Sequence, residues 1–518
     1  VYALSDLSVD DLITANAGQI YNGEALGDGA AQSVDVLDDV NGDGRDELLL
    51  GAYGADYAAA WAGRVYVVHG RSQAAEVELS SVVSGAGGAA LDGESPFDWL
   101  GLSVAAVDAR KDGTSNDLLL SAIGHDAQGE RTGRVYEISA SGLGAGSPWG
   151  VEQAALNVFD GEEALGDAGR ALGNVGDFDA DGHPEVAIAS YREDSMAVDM
   201  DGFPVADDVG AIYILFSWYL GWTNGGVFPL SGFPGLRIEG ASEGDLAGFS
   251  ISSAGDVNGD GWQDTIIGAY AADSENGEDA GRAYLLFGTG TLPSELELAD
   301  VEAGIGGHGV VLDGGQPYEL AGRFVAGVGD VNQDGWDDIL IGAPGADDGT
   351  GCAYLVFGAA DFGGPTAQVA LADIIADARG IILHGAQVGD GLGSSGGTLG
   401  DFNGDGAPDF VVGAPFADSS TAAGAGQVFV VLGGDDLVSQ YLPTADISAV
   451  GFGFAVSGSE AGDAFGHALA GGKDINGDGF DDLVVGAYEA TPAAMRDSAG
   501  RAYVVFGHDE TVGEGEPQ

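Results

Sequence analysis

An acidic string with regularly spaced oxygen-bearing side chains recurs along this chain. In the copy DVNGDGWQD, four such side chains fall at positions 1, 3, 5 and 9, and a glycine at position 6 permits a sharp turn: Asp256, Asn258, Asp260 and Asp264. Alternate oxygens on a tight loop can surround a hard cation, because Ca²⁺ takes six to eight oxygen ligands. Position 7, here Trp262, would contribute its backbone carbonyl. The string therefore predicts a calcium-binding loop.

Six copies of the string keep this register, and position 7 varies freely among them, as expected if only its backbone matters. One ion per copy gives about six Ca²⁺ ions, which would bring the formal net charge from -67 to about -55. The predicted ligands, copy by copy, are Asp39, Asn41, Asp43, Arg45 and Glu47; Asp177, Asp179, Asp181, His183 and Glu185; Asp256, Asn258, Asp260, Trp262 and Asp264; Asp330, Asn332, Asp334, Trp336 and Asp338; Asp401, Asn403, Asp405, Ala407 and Asp409; and Asp474, Asn476, Asp478, Phe480 and Asp482.

The loop differs from an EF-hand, which would place an acidic ligand at position 12 and continue into a helix. Here position 12 is apolar in every copy and lies within a predicted strand, so we expect the loop to close at position 9 in a β-hairpin. Mg²⁺ suits such a loop less well, because it dehydrates reluctantly and requires a strict octahedron.

A seventh copy, DARKDGTSND, departs from the pattern. Arg110 takes a ligand position, Lys111 follows it, and the spacing to Asp117 is one residue longer. Two cations near Asp108 and Asp112 can supply the charge that an ion would supply. We expect salt bridges and no metal in this copy.

The acidic strings recur at a regular interval, which indicates that each belongs to one repeated structural unit. Successive starts are 69, 69, 79, 74, 71 and 73 residues apart, which indicates one supersecondary unit repeated seven times. Each string is followed by an apolar run such as DTIIGA and by a second run such as GRAYLLFG, both typical of strands. A stretch of small residues and a weaker strand ending in glycine precede it. The sequence predicts an all-β, seven-bladed β-propeller with four antiparallel strands per blade.

The N-terminus is predicted to close the propeller. The last unit, about residues 459–507, is followed only by a polar tail at 508–518, whereas QIYNG at about 19–23 precedes the first unit without a blade of its own. Pairing of the two would remove the exposed edges of an open array. We therefore expect residues 1–507 to form one propeller and the tail to act as a linker.

These strings resemble the FG-GAP repeat family, whose best-known members form the propeller of integrin α subunits. GAY stands at Gly51, Gly268 and Gly486, GAP at Gly342 and Gly413, and FG at Phe465. Blade three departs most, with ASY beginning at Ala189. The resemblance implies a calcium loop of this hairpin type and a ligand-binding face opposite the calcium loops.

The amino-acid composition limits the classes of partner that the protein can bind. With 83 acidic and 16 basic residues, the protein surface repels nucleic acid and anionic lipid. An excess of acidic residues of this size also fits a protein from a high-salt environment, where screening weakens the repulsion. Cys352 is the only cysteine, so disulfides give no information on compartment, and no apolar run is long enough to span a membrane. Extracellular calcium modules bind at about 10⁻⁴ to 10⁻³ M, which predicts a secreted or cell-surface protein.

A binding module for a protein or glycan is favoured over an enzyme, because the seven histidines are scattered and no nucleophile or zinc motif stands out. The alternatives are a structural spacer within a larger surface protein, or a polysaccharide lyase or hydrolase on a calcium propeller. Candidate ligand loops are Tyr191 to Val209 and Asp273 to Ala280, either of which could equally be a solvated acidic loop. A further aromatic stretch could be a recognition surface or a cap on its own blade: Trp218, Tyr219, Trp222, Phe228 and Phe233.

Overall fold

The structure, a computed structural model, describes residues 7–85, 87–107, 117–143, 148–179, 181–194, 208–216, 225–290, 293–362, 368–420, 422–492 and 497–508. Its strands form seven sheets, and the innermost strands of neighbouring sheets contact one another around a closed ring. The predicted seven-bladed β-propeller is confirmed. The second strand of each blade is buried along its whole length, as the continuous apolar runs predict.

Each blade contains five strands, which follow one another from the axis outward. Blade one has Ala30–Leu37, Glu47–Ala52, Arg64–Val68, Gly88–Asp92 and Pro148–Gly150; blade two has Val104–Val107, Asp117–Ala122, Arg134–Ser139, Asn157–Asp160 and Gly226–Pro229; blade three has Ala171–Asn174, Val186–Ser190, Ala211–Leu215, Gly235–Glu239 and Glu295–Glu297; blade four has Ser250–Gly255, Asp264–Ala269, Arg282–Leu286, Gly309–Asp313 and Gln368–Ala370. Blade five has Phe324–Gly329, Asp338–Ala343, Cys352–Val356, Gly380–His384 and Gln440–Pro443; blade six has Ser395–Gly400, Asp409–Ala414, Gln427–Val431, Gly453–Ser457 and Leu7–Ser8; blade seven has Ala468–Lys473, Asp482–Ala487, Arg501–Val505, Gly18–Asn22 and Ala75–Glu78.

The outermost strand corrects the prediction of four strands per blade. It is short, runs parallel to the fourth strand, and in blades one to five and seven comes from the connection between strands three and four of the next blade. Ala75–Glu78 of blade one, for example, pairs with Gly18–Asn22 of blade seven. Only Val77 of this strand is buried, so its sequence carries little strand pattern. The fifth strands tie neighbouring blades together.

The N-terminal residues close the ring, as predicted. Gly18–Asn22 pairs antiparallel with Arg501–Val505 and becomes the fourth strand of blade seven. Leu7–Ser8 pairs parallel with Gly453–Ser457 and becomes the fifth strand of blade six. The N-terminal segment therefore joins two blades formed by the C-terminal part of the chain.

Helices in the described residues are short and most follow a fifth strand. The α-helical segments are Leu79–Ser84, Val151–Ala154, Leu298–Glu302, Ala346–Gly349 and Ile447–Val450, and the 3₁₀ turns are Val9–Asp11, Ala140–Gly142, Leu230–Gly232, Leu371–Asp373 and Thr444–Asp446.

The GAP glycines allow adjacent blades to approach closely. A Cβ at Gly51 of blade one would lie 2.0 Å from the carbonyl oxygen of Gly101 in blade two, and a Cβ at Gly268 would meet the Gly322 carbonyl at the same distance. Within each pair of blades, apolar side chains of the facing sheets form the core.

Candidate metal centres and the upper face

Each of the six intact loops connects the first and second strands of its blade, so all six lie on one face of the propeller. The carboxylate at position 9 stands at the start of the second strand and is fully buried in every copy: Glu47, Glu185, Asp264, Asp338, Asp409 and Asp482. The N–H of position 2 donates to it, as from Val257 to Asp264 at 3.1 Å. In blades four to seven the other oxygen accepts from a glycine beyond the third strand, at 2.8 to 3.1 Å. Position 9 therefore anchors the loop to the sheet.

Backbone hydrogen bonds fix the turn itself. The position 1 carboxylate accepts from the N–H of the position 6 glycine at 2.6 to 3.1 Å in all six loops. These glycines have φ between 82° and 98°, the left-handed region that a side chain would strain. The position 5 carboxylate accepts from the N–H of position 7 at 2.8 to 3.2 Å. The side chains at positions 1, 5 and 9 are thus held by the backbone.

The predicted ligands are brought together loop by loop. In blade three, Asp177, Asp179 and Glu185 each place a carboxylate oxygen within 4.8 Å of the other two. In blades five to seven the position 3 asparagine donates its amide to the position 5 aspartate at 2.9 Å. In blade one the Arg45 side chain instead forms an ion pair with Asp43 at 2.9 Å.

The electrostatics of the loops favour a cation. Burial raises the pKa of Asp264 and Asp409 to about 7 and that of Asp338 and Asp482 to about 8, and the carboxylates at positions 1 and 5 raise each pKa except that of Asp409, where only position 5 does so. Burial likewise raises the pKa of Glu47 to about 7. In the described structure, one buried oxygen of Asp177 and one of Asp401 have no hydrogen-bond partner. Clustered, partly desolvated carboxylates of this kind suit a hard divalent cation.

Position 8 links neighbouring loops, a role that the sequence analysis missed. The N–H of Asp256 in blade four donates to the carboxylate of Asp337 in blade five at 2.7 Å. The same bond joins blade six to blade seven and blade seven to blade one, each at 2.9 Å. Position 7 also contacts the preceding loop, since a Cβ at Gly259 would lie 2.6 Å from the Trp336 indole. The recurrence of Asp at position 8 was the available signal. Adjacent loops are therefore mechanically coupled.

The degenerate copy lies largely outside the described residues, which resume at Asp117. Asp117 begins the second strand of blade two and is 2% exposed, the same place that position 9 holds elsewhere. The expectation of salt bridges at Asp108, Arg110, Lys111 and Asp112 stays a prediction.

The opposite face, which we call the upper face, carries the loops that join strand four to the next strand one and strand two to strand three. Large apolar side chains are exposed on these loops, whereas the rest of the exposed apolar side chains lie on the outer edges of the blades. Those on the upper face are Leu26, Tyr57, Trp61, Phe97, Leu165, Tyr318, Val388 and Phe416. Exposed apolar groups concentrated on one face mark an interaction surface.

Four of these side chains occupy left-handed backbone: Trp61, Phe97, Leu165 and Tyr318. Phe97 and Tyr318 have φ of 66° and 60° at the position just before a buried acid. Four other blades place a glycine there with φ of 78° to 93°. A left-handed aromatic residue costs about 1 to 2 kcal/mol more than glycine, and such strain clusters at functional sites. The aromatic groups are therefore kept at a cost in stability.

The loop of blade four that the sequence marked as a candidate is ordered by its own acid. Asp273 accepts from the N–H of Asp279 at 2.9 Å. Asp56 and Asp418 do the same in blades one and six, at 2.6 and 2.8 Å. These acids shape the loops and are not simply solvated. In the blade three candidate, residues 195–207 lie outside the described residues.

The aromatic stretch of blade three is partly described, with Trp218, Tyr219 and Trp222 outside the described residues. Phe228 lies in the fifth strand of blade two, and Phe233 is 8% exposed. Both rings stack on Phe159 of blade two, with centroids 6.3 and 5.3 Å away. These two residues pack against the neighbouring blade, which neither predicted role included.

A further acidic group in the described residues lies on the upper face. Glu94, Asp98 and His125 hold potential ligand atoms within 4.8 Å of one another. Arg134 forms an ion pair with Glu94 at 3.0 Å and Tyr136 donates to the same oxygen. The guanidinium supplies the positive charge at this place, so we assign it no metal.

Comparison with known proteins agrees with this geometry. The FG-GAP repeat matches residues 30–68, 247–286, 321–356, 392–431 and 465–505, which fall in blades one, four, five, six and seven. Integrin alpha pat-2 of Caenorhabditis briggsae is 30% identical over 262 residues, covering 48% of this chain and 18% of that protein. Integrin alpha-IIb of Mus musculus is 32% identical over 252 residues, or 46% and 21%. Phosphatidylinositol-glycan-specific phospholipase D of Bos taurus is 34% identical over 175 residues, or 33% and 19%.

The matched part spans about a fifth of the length of these relatives. Among the described residues, no helix has the length and apolar character needed to cross a bilayer.

Proposed function

Because this chain is an integrin α-like β-propeller of FG-GAP repeats, we propose that it is a calcium-stabilised, extracellular, non-catalytic module that binds a protein or glycan partner through its upper face. The observation that carries the proposal is the set of exposed apolar side chains on that face, four of them on left-handed backbone. Four other blades place glycine at the position of Phe97 and Tyr318, which would relieve the backbone strain. That these two aromatic residues are present in spite of the strain implies that their side chains have a function.

Calcium has a structural role in this proposal. The ligands would be the side chains at positions 1, 3, 5 and 9 and the backbone carbonyl of position 7 in the six loops, with Ca²⁺ neutralising carboxylates that the fold buries. The loops lie on the face away from the exposed aromatic groups, so the ions would hold the blades while the other face stays free for a partner.

The relatives include integrin α subunits and a phospholipase, so similarity alone does not separate binding from catalysis. The upper face favours binding, because it exposes large apolar side chains and the acids of its strand two to strand three loops are engaged in backbone hydrogen bonds. A spacer within a larger surface protein would leave the strained Phe97 and Tyr318 without a purpose.

The ion count tests the metal assignment. Native mass spectrometry of the protein equilibrated with Ca²⁺ is expected to give six bound ions, since six loops keep the ligand register and the copy at Asp108 does not. Asp264→Asn is expected to reduce the count to five, because it removes the buried anchor of one loop. Seven ions, or fewer than four, would contradict the assignment.

The binding face is tested with two matched tryptophans. Beads coated with the protein are tested in Ca²⁺ on a glycan array and on a panel of purified extracellular matrix proteins. We expect at least one target to be bound, and Trp61→Ala to weaken that binding tenfold or more. Trp149→Ala is the control, because Trp149 is similarly exposed, 37% against 42%, but lies on the outer edge of blade one. No bound target, or equal loss in both variants, would count against the proposal.

Phe97→Gly separates function from stability. The free energy of unfolding is expected to stay within about 1 kcal/mol of the parent value, because relief of left-handed strain offsets the entropy of glycine. Phe97 is 55% exposed, so little packing is lost. Binding to the target found above is expected to fall, and a large loss of stability by thermal or urea unfolding would show that the ring serves packing.

A further inference from the structure

Seven side chains, one from each blade, line the mouth of the propeller axis on the upper face. Each directly precedes the residue that pairs with the GAP-type position of the second strand, and all seven are half-buried. We call them the axial ring: Gln32, Leu102, Arg170, Phe249, Arg323, Ser394 and His467. Below them the innermost strands of all seven blades surround a cavity of about 540 Å³.

Two arginines of the axial ring converge on one aromatic side chain. The guanidinium carbons of Arg170 and Arg323 each lie 4.1 Å from the ring centroid of Phe249. They are therefore at most about 8 Å apart. Contacts with one aromatic ring hold both cations in place and leave their N–H groups available for other partners.

Neither cation forms an ion pair within 4 Å among the described residues, in a chain of formal charge -67. Other arginines, such as Arg64 and Arg282, form ion pairs at 2.5 to 2.9 Å. Burial and the neighbouring Arg323 lower the pKa of Arg170 to about 10. Leaving two partly buried like charges beside each other is unfavourable unless an anion joins them.

The neighbours of the pair include one buried carboxylate, Asp167, which acts on Arg170 and is itself ion-paired to Arg131 at 2.7 Å, and several polar groups. Burial, with both arginines, lowers the pKa of His467 to about 4, so its imidazole is neutral at pH 7 and pairs with the Gln32 amide at 3.0 Å. Tyr191 and Tyr270 lie beside Phe249, with centroids 5.7 and 4.6 Å away.

We propose that the axial ring binds a single oxyanion group, and that in a protein partner this group is one carboxylate entering the mouth of the axis beside Phe249, where the N–H groups of Arg170 and Arg323 are available. Planar guanidinium groups recognise carboxylates through paired N–H donors. A polyanion would meet the acidic surface around the mouth and be repelled, whereas a lone carboxylate would not. The use of the site by a partner rests on the proposed binding function; occupation of the site by a small anion does not.

Calorimetry with two tripeptides tests the site. N-acetyl-Gly-Asp-Gly-amide is titrated into the calcium-loaded protein, with N-acetyl-Gly-Asn-Gly-amide as the matched neutral probe. We expect saturable binding of the aspartate peptide and at least tenfold weaker binding of the asparagine peptide. Arg170→Gln and Arg323→Gln are each expected to weaken binding tenfold or more. Arg379→Gln is the control and should change it less than twofold, because Arg379 also lies over an aromatic ring, at 5.4 Å from Phe362, and removes the same charge far from the axis.

A crystallographic experiment on the parent protein tests the anion site without relying on the arginine variants. Crystals of the parent protein soaked in sodium selenate are expected to show anomalous selenium density at the mouth of the axis, against the guanidinium of Arg170, of Arg323 or of both. Absence of both that density and saturable peptide binding would overturn the site. Selenate density without peptide binding would overturn the carboxylate assignment, and equal loss in Arg379→Gln would show that only total charge matters. Each of these outcomes can occur whether or not the bead assay finds a target, so the two proposals fail separately.

Discussion

Removal of calcium with excess EGTA is expected to lower the melting temperature by roughly 15 °C or more and to broaden the transition. A site at 100-fold saturation contributes about 2.7 kcal/mol, so six sites contribute on the order of 16 kcal/mol, as much as the whole stability of a typical domain. The loss is expected to be concerted, because backbone N–H groups of one loop are bound by the position 8 carboxylate of the next, as between Asp474 and Asp46. Calorimetric scans with and without chelator measure this.

Asp482→Asn sharpens the test, because the cost of the substitution depends on the ion. With Ca²⁺ the variant is expected to melt well below the parent, because one ligand charge is lost. In EGTA the difference is expected to be smaller, since the amide removes repulsion among buried carboxylates and only the loss of one accepted backbone hydrogen bond remains. Asp377→Asn, on an exposed turn, is the control and should change neither value. An unchanged transition in chelator would show that the loops are only turns.

The repeat pattern predicts the blades well because each second strand is buried on both faces and must be apolar throughout, as in DTIIGA at Asp264–Ala269. The fifth strands were not predictable in the same way. Ala75–Glu78 buries one side chain, and it joins, through Gly18–Asn22, a blade whose first three strands come from the far end of the chain. A strand of this kind is defined by the blade that it joins more than by its own residues.

In the calcium loops and the axial ring, too, local features could be predicted from the sequence and contacts between blades could not. Ligand positions within one loop are local, so their spacing is visible in the sequence. The role of Asp337 at position 8 depends on the neighbouring blade, because it binds the N–H of Asp256, 81 residues away in the chain. Arg170 and Arg323 meet on Phe249 only after blades three, four and five have packed side by side. Contacts between blades were therefore beyond the reach of a single repeat.

Deletion of residues 1–23 is expected to abolish folding to a soluble monomer, whereas deletion of residues 1–8 is expected to leave a folded protein of reduced stability. Within the part of the chain that the structure describes, the shorter deletion removes only Leu7–Ser8, the two-residue parallel strand of blade six. The longer one also removes Gly18–Asn22, with the fully buried Tyr21, and exposes the edge of Arg501–Val505. Loss of one large buried side chain alone costs about 3 to 5 kcal/mol, and an open apolar edge promotes aggregation.

A circular permutant decides whether this effect is due to blade closure. Residues 1–23 are moved behind residue 508 through a short flexible linker, so that Gly18–Asn22 follows Arg501–Val505 as fourth strands follow third strands in the other blades. Because the strand then returns to the same antiparallel partner, we expect circular dichroism and the calcium-loaded melting temperature close to those of the parent. A permutant with residues 18–22 replaced by a Gly-Ser segment of equal length is the matched control and is expected to fail. Equal tolerance of both deletions, or a permutant no better than its Gly-Ser control, would show that blade seven does not need the N-terminal strand.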